Sequence, residues 1–245
     1  MNKHLCIDCG NTLVKAALYD SDNIVAREQV SYNDVVALTR FVEGCNVTSA
    51  LLSSTSMRSV EVVAAISPFL SCELKELSHE TPLPLRLGYH TPATLGRDRI
   101  AAAVGAWEMF PGCNLLVIDA GTCVTLDVVT ADGSFLGGNI APGVEMRLRA
   151  MHEFTSKLPQ VPVDGDVPMV GYDTDTAMRS GAVIGVANEI DAMSMKLHAV
   201  LGQLKVLLTG GSSPLFSEYL GEEACLMVPD LVLNGLNAII NYNEY

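Results

Sequence analysis

The sequence predicts an α/β protein built from two copies of one lobe, an expectation that rests on two matching segments and on the like-ordered turn and strands after each. Leu5-Cys6-Ile7-Asp8-Cys9-Gly10-Asn11-Thr12 and Leu115-Leu116-Val117-Ile118-Asp119-Ala120-Gly121-Thr122 both read as a hydrophobic strand running into Asp-x-Gly and a Thr, the second near the middle of the 245-residue chain. The first copy continues through Leu13 to Tyr19, the turn Asp20-Ser21-Asp22-Asn23 and a strand at Ile24 to Glu28. The second continues through Cys123 to Val129, the turn Ala131-Asp132-Gly133-Ser134 and a strand at Phe135 to Ile140. In such a turn the Asp faces a cleft from a strand end, Gly lets backbone approach a ligand, and the Thr hydroxyl with nearby amides can hold phosphate oxygens. A single copy is as readily an Asx turn closing a hairpin. The pair points to a nucleotide clamped between two halves.

The remaining elements come from periodicity and breakers. A helix is expected near Asn33 to Gly44, a strand near Ala50 to Ser53, and a helix near Ser59 to Leu70. The Pro-rich stretch Thr81 to Pro92 reads as irregular chain. Asp98 to Phe110 is Ala-rich, carries the single Trp and is stopped by Pro111-Gly112, which places the lobe boundary between 1–112 and 113–245. Past it, a helix from about Val144 to Ser156 comes after Pro142-Gly143, and Asp173 to Leu201 is helical in one or two segments. Lys205 to Thr209 is a buried strand entering Gly210-Gly211, and Leu231 to Ile240 a last amphipathic helix.

Composition narrows the function. Hydrophobic residues make up 49 % of the chain, enough for a proper core. A formal charge of −13, with fifteen Lys and Arg spread thinly, argues against nucleic acid or an anionic membrane as partner. No apolar run is long enough to span a bilayer. Met1-Asn2-Lys3-His4 leads into a strand without a signal-peptide pattern, so a cytoplasmic protein is expected. Seven cysteines do not make a disulfide framework in a chain of this size. Cys6 and Cys9 spell C-x-x-C, but the chain has no second such pair and no spaced His pair, which favours a structural role over zinc or redox chemistry. The histidines at 4, 79, 90, 152 and 198 lack ligand spacing as well.

Three segments carry candidate chemistry. Asp8 can hold Mg²⁺ through water while Asn11, Thr12 and backbone amides take terminal phosphates; Asp119 then suits a cation and Thr122 a phosphate. Gly96-Arg97-Asp98-Arg99 opens the Ala-rich helix. There Asp98 is either an N-cap or a base toward a substrate hydroxyl, with a guanidinium fixing an anionic group. Its flanking arginines are expected to lower its pKa. Gly137-Gly138 with Pro142-Gly143 reads as a tight substrate-facing loop or an ordinary turn, and Gly210-Gly211 as a bed for an adenine ring or a turn. No G-x-x-x-x-G-K-[ST], G-x-G-x-x-G or G-x-S-x-G is present, which excludes a P-loop and leaves a dinucleotide fold or serine hydrolase unsupported.

These residues together resemble the type III pantothenate kinases, within the actin, sugar-kinase and heat-shock chaperone superfamily. The resemblance covers nearly the whole chain. It rests on Asp8-Cys9-Gly10-Asn11-Thr12, Gly96-Arg97-Asp98-Arg99, Asp119-Ala120-Gly121-Thr122 and the run from Ala141-Pro142-Gly143 through Met151-His152 to Thr155-Ser156-Lys157-Leu158-Pro159. Gly171-Tyr172-Asp173-Thr174 with Ala177-Met178-Arg179-Ser180-Gly181 completes it. It implies two ribonuclease-H-like lobes and ATP-dependent phosphorylation of the primary hydroxyl of pantothenate, the first step of coenzyme A synthesis. Asp8, Cys9, Gly10, Asn11, Thr12, Leu13, Val14 and Lys15 would form the first ATP segment, with Asp8 near Mg²⁺ and Thr122 a further ATP contact. Asp98 would be the catalytic base. Tyr89, Gly96, Arg97, Asp98, Arg99 and Thr174 match pantothenate contacts, and Asp119 matches the ligand of a monovalent cation, K⁺ or NH₄⁺. The resemblance also implies a homodimer. Asn139 and Asp173 depart from the pattern, which has a small residue and often Asn at those places. A regulatory nucleotide-binding protein could lose Asp98, which this chain keeps; a phosphate hydrolase on the same fold would put a water in place of the alcohol.

Overall fold

A computed structural model describes residues 3–216, 219–220 and 225–243; Met1 and Asn2, which lead into the first strand, lie outside them. Apolar residues at every second position make Lys3–Cys9 (β1), and its polar Gly10-Asn11-Thr12 connection turns the chain into Leu13–Asp20 (β2) and then Asn23–Ser31 (β3). Val35–Val42 (α1), Ser49–Ser54 (β4), Ser59–Ile66 (α2), Leu74–Glu76 (β5), Arg86–Leu87 (β6) and Arg97–Met109 (α3) come next. The second series is Asn114–Ala120 (β7), Cys123–Val129 (β8), Ser134–Pro142 (β9), Val144–Glu153 (α4), Thr174–Leu201 (α5), Leu204–Thr209 (β10), Leu226–Met227 (β11) and Leu231–Asn243 (α6). Two compact units result, one of residues 1–112, 132–136 and 230–245, the other of 113–131 and 137–229.

The units repeat one topology. In the first, the sheet order is β3-β2-β1-β4-β5, with β1 and β2 antiparallel and β4 and β5 added in parallel. In the second, β9-β8-β7-β10-β11 repeats that order, with β7 and β8 antiparallel and β10 and β11 parallel. The faces match too. Leu5, Ile7 and Cys9 enter the first core with Leu38, Val42, Val62 and Ile66 of α1 and α2. Leu116, Ile118 and Ala120 enter the second with Leu148 of α4 and Val183, Val186 and Ile190 of α5. Each fully buried Leu or Ile contributes about 1.5–3 kcal/mol, so these faces hold Asp8 and Asp119 at the ends of well-anchored strands.

The opposite face of the first sheet is covered by α6, whose asparagines tie it down. Tyr19 Oη donates to Asn234 Oδ1 at 2.8 Å, His4 Nδ1 and Asn237 Oδ1 are hydrogen-bonded at 2.8 Å, and Asn241 Nδ2 donates to Asp22 at 3.0 Å. These are pairings that a buried polar stripe requires. Among the described residues no helix is long and apolar enough to cross a membrane.

Several local expectations change. Gly137, Gly138 and Pro142 lie inside β9, which runs into α4 with Gly143 as N-cap, so no substrate-facing loop stands there. The Pro-rich stretch contains β6, whose Arg86 and Leu87 pair with Ser134 and Phe135. Residues 174–201 form one helix, not two. Cys6 and Cys9 sit three apart in a strand and therefore point to opposite faces, which rules out both a bridge and a shared metal. Burial holds the Cys9 thiol up at about 12 and raises Cys6 as well, so neither is a thiolate at neutral pH.

Candidate active site

Asp8 is half-buried at the end of β1, where register sets its neighbours. Lys15 stands opposite it on β2 and Ser53 beside it on β4, and cross-strand partners share a face. A carboxylate, an ammonium and a hydroxyl thus meet at one strand end. The turn beyond is closed by Gly10 N–H donating to the Leu13 carbonyl at 3.1 Å, and its Gly10 carbonyl accepts from the Tyr32 hydroxyl at 2.6 Å. Asn11 and Thr12 are exposed at its tip. Cys9, Val14 and the half-buried Leu13 belong to the strands that carry the turn.

In the second unit Asp119 occupies the matching strand end, half-buried. Its cross-strand neighbours are Thr125 on β8 and Thr209 on β10, both hydroxyls. The turn is pinned by main chain: Gly121 N–H donates to the Cys123 carbonyl at 2.9 Å, and Gly143 N–H to the Thr122 carbonyl at 3.0 Å. Thr122 is exposed. Gly210 comes directly after β10 at φ +96°, and a Cβ there would lie 2.5 Å from Asp119 Oδ1, so only glycine fits beside this carboxylate. Ser53, Thr209 and this role of Gly210 escape sequence reasoning, because strand order alone brings them to the carboxylates.

The third carboxylate, Asp98, lies in the first turn of α3 in the first unit. Gly96 takes the N-cap position, so Asp98 is not the cap. Asp98 Oδ1 accepts from the Arg99 N–H at 2.8 Å. Gly96 is needed here because a Cβ would stand 2.5 Å from Asp98 Oδ1. Burial pushes the Asp98 carboxyl above its ordinary value, against the opposing pull of the Arg99 amide and guanidinium. That reverses the expectation of a lowered pKa. Burial outweighs the Arg99 pull, and Arg97 donates instead to the carbonyls of Leu95 at 2.8 Å, Ala93 at 3.2 Å and Pro92 at 3.4 Å. Arg99, only 5 % exposed, lies with its guanidinium carbon 5.7 Å from the Tyr89 ring centroid. Gly96, Asp98, Arg99 and Tyr89 are thereby brought together.

Thr174 is the exposed first residue of α5 in the second unit. Asp173 caps that helix: its carboxylate accepts from Thr176 N–H at 2.8 Å, and the Thr176 hydroxyl accepts from Asp173 N–H at 3.1 Å. The hydrogen bonds from Thr176 lower the Asp173 pKa. Asp and Asn cap equally well, so the departure at 173 keeps the geometry. Arg179, buried, donates to the carbonyls of Pro162 at 3.1 Å and Asp166 at 2.9 Å, holding the segment that leads to Thr174. A cavity of about 520 Å³ in the first unit is lined by Tyr19, Asp22, Glu108 and the α6 asparagines. None of the candidate residues lines it.

As donors for metal, Asp8 presents one carboxylate beside the Ser53 hydroxyl with Lys15 opposite, and Asp119 one carboxylate between two threonines, and no group of three or more His, Cys, Asp or Glu is arranged for a metal among the described residues. Such a set fits a hydrated Mg²⁺, which keeps most of its waters and takes one or two carboxylates, better than a metal that needs a full protein cage.

Comparison with known proteins bears on the family and the fold. The family described as type III pantothenate kinase matches residues 4–196. A type III pantothenate kinase of Phocaeicola vulgatus is 40 % identical over 98 % of this chain and 99 % of its own length. That of Porphyromonas gingivalis W83 is 38 % identical over 99 % and 100 %. Among solved structures, the activator of 2-hydroxyisocaproyl-CoA dehydratase from Clostridium difficile, bound to ADPNP, superposes with a TM-score of 0.58 at 12 % identity, over 99 % of this chain and 95 % of its own. A glucokinase from an Antarctic psychrotroph gives 0.51 at 12 % identity over 99 % of each chain. These likenesses identify the fold as that of the actin-like ATPases and sugar kinases, two ribonuclease-H-like lobes. By the extent and identity of the sequence matches, the chain belongs to the type III pantothenate kinase family.

Proposed function

We propose that this protein transfers the γ-phosphoryl group of ATP to the primary hydroxyl of pantothenate, giving 4′-phosphopantothenate, the first step of coenzyme A synthesis. The observation that carries this reading is the half-buried Asp98 carboxylate, seated beside Gly96 with Arg99 and Tyr89, in a family defined by that reaction. Asp98 accepts the hydroxyl proton as the oxygen attacks the γ-phosphorus and the bond to the β–γ bridging oxygen breaks, releasing ADP. Its raised pKa makes it a better base than an ordinary Asp. The phosphoryl transition state is loose, so positioning and charge supply most of the catalysis.

In this reading Asp8 to Lys15 and Thr122 bind ATP, and Tyr89, Gly96, Asp98, Arg99 and Thr174 bind pantothenate. Arg97 braces the 92–95 turn through its carbonyl contacts. Asp8 would hold hydrated Mg²⁺ and Asp119 a monovalent cation, K⁺ or NH₄⁺; bound there, both offset phosphate charge in an acidic protein. The protein works as a cytoplasmic homodimer. A nucleotide-binding regulator without kinase activity is disfavoured, since Asp8, Asp98 and Asp119 are all present.

The test is ADP release with and without pantothenate, in KCl and in NaCl, for wild type and Asp98→Asn. Wild type should turn over only with pantothenate, and Asp98→Asn should lose about 10²–10⁴ in kcat. Turnover without pantothenate sinks the assignment. Because the folded-state pKa of Asp98 lies above its unfolded value, its ionisation costs stability as pH rises through the folded value. Asp98→Asn should therefore raise Tm at neutral pH, and wild-type activity should fall on acidification at a higher pH than an ordinary Asp would set.

A further inference from the structure

Residues 132–136 belong to the first unit although they precede β-strand residues of the second, and they brace the Tyr89 segment at several points. Arg86 N–H donates to the Gly133 carbonyl and Gly88 N–H to the Phe135 carbonyl, both at 2.9 Å. The Arg86 guanidinium meets Asp132 Oδ2 at 2.6 Å and Ser134 Oγ at 3.1 Å. Phe135 is fully buried, and its ring lies 6.3 Å from that of Tyr89, tilted by 58°. The centroid distance is within the range in which aromatic pairs attract each other. Tyr89 in turn faces the guanidinium of Arg99, the residue whose amide holds Asp98.

We infer that Phe135 is a positioning residue for the substrate side of this site, with Arg86 as the latch that keeps it in register: Phe135 sets the Tyr89 ring, and Tyr89 sets Arg99 beside Asp98. Phe135 touches neither substrate nor reacting atoms. The inference rests on the reading of Tyr89, Arg99 and Asp98 as pantothenate-facing. It makes a specific demand: loosening 132–136 must weaken pantothenate without weakening ATP, because this segment is hydrogen-bonded to Arg86 and Gly88 and packs on the Tyr89 ring.

The test uses two full-length variants, Phe135→Leu, which keeps most of the buried volume, and Arg86→Met, which cuts the exposed latch and leaves the core intact. Pantothenate affinity is measured by calorimetry, and kcat with both KM values by ADP release. Losing the ring pair should raise pantothenate Kd and KM about fivefold and losing the exposed latch about threefold, with ATP KM held within about twofold and circular dichroism unchanged. Unchanged pantothenate affinity in folded Phe135→Leu and Arg86→Met, or equal rises in both KM values, overturns the inference. Failure of wild type to bind pantothenate at all defeats instead the functional reading beneath it.

Discussion

The Asp8 and Asp119 turns are copies in sequence and topology that differ in what stands opposite the carboxylate. Both end the first strand of a unit, both lead into Gly and Thr, and both have a hydroxyl residue on the parallel neighbour, Ser53 or Thr209. Opposite Asp8 is Lys15; opposite Asp119 is Thr125. After Ser53 the chain continues as Ser54, whereas after Thr209 comes Gly210, pressed against the Asp119 carboxylate. On the proposed reading, the ammonium that the chain carries itself suits the first turn to phosphate with a hydrated Mg²⁺ alongside. The second turn brings a carboxylate and hydroxyls with a threonine across from it, a donor set that would suit a weakly held cation from solution. The duplicated motif would then have diverged in the source of its positive charge.

The hardest test of that contrast is to neutralise each carboxylate. Asp8→Asn should lower kcat by about 10²–10³, the cost of removing one preorganised charge from a phosphoryl-transfer site, in KCl and NaCl alike. Asp119→Asn should cost less and differently: about tenfold, the worth of roughly 1.4 kcal/mol of charge interaction, and seen chiefly as loss of the difference between KCl and NaCl. ADP-release assays in both salts decide it. Equal, salt-independent losses for the two variants would erase the distinction. The converse variant is Thr125→Lys, which gives the second turn the ammonium of the first. Its activity in NaCl should approach that in KCl, because the cation is now tethered.

The duplication was legible because strands with buried alternation, Asp-x-Gly turns and amphipathic helices each leave a periodic trace. Elements β5, β6 and β11 were not, since strands such as Arg86–Leu87 owe their hydrogen bonds to a neighbour and too few residues remain to show a pattern. The three candidate carboxylates stood out by type and spacing. The hydroxyl residues beside two of them did not: Ser53 reaches Asp8 and Thr209 reaches Asp119 through strand order. The raised pKa of Asp98 was hidden for a related reason: burial outweighs the pull of Arg99, and burial is set by packing that adjacency in sequence does not show. The run Thr155 to Pro159, singled out as a family signature, proves to close α4. The Thr155 hydroxyl donates to the Met151 carbonyl at 2.7 Å, and His152 Nδ1 donates to the Leu158 carbonyl at 2.8 Å.

Gly210→Ala sharpens the comparison at lower cost. A side chain at φ +96° is strained, and its Cβ would displace Asp119 Oδ1 and press on the Ala120 carbonyl. Stability should fall by about 1 kcal/mol or more, and the KCl concentration for half-maximal activity should rise about fivefold while ATP KM in saturating KCl stays near wild type. A thermal melt and a KCl titration separate the two effects. If the melt shifts and the titration does not, Gly210 serves the backbone alone.

The smallest effect expected comes from Tyr32→Phe, and it probes how each turn is held. In the first, a side chain pins the Gly10 carbonyl, with Tyr32 Oη at 2.6 Å; in the second, main-chain bonds from Gly121 and Gly143 do that work and no side-chain truncation can reach them. Arg58 lies 4.7 Å from the centroid of the Tyr32 ring, and phenylalanine keeps that cation–π contact, so the substitution spares the ring and removes the hydroxyl with its bonds to the Gly10 carbonyl, Ser56 and Cys9. One such bond is worth about 0.5–1.5 kcal/mol. ATP KM should therefore rise about threefold, with kcat, pantothenate KM and the response to KCl unchanged. A loss confined instead to the KCl response would mean that Tyr32 serves the cation step and that the two turns do not divide their work as their neighbours suggest.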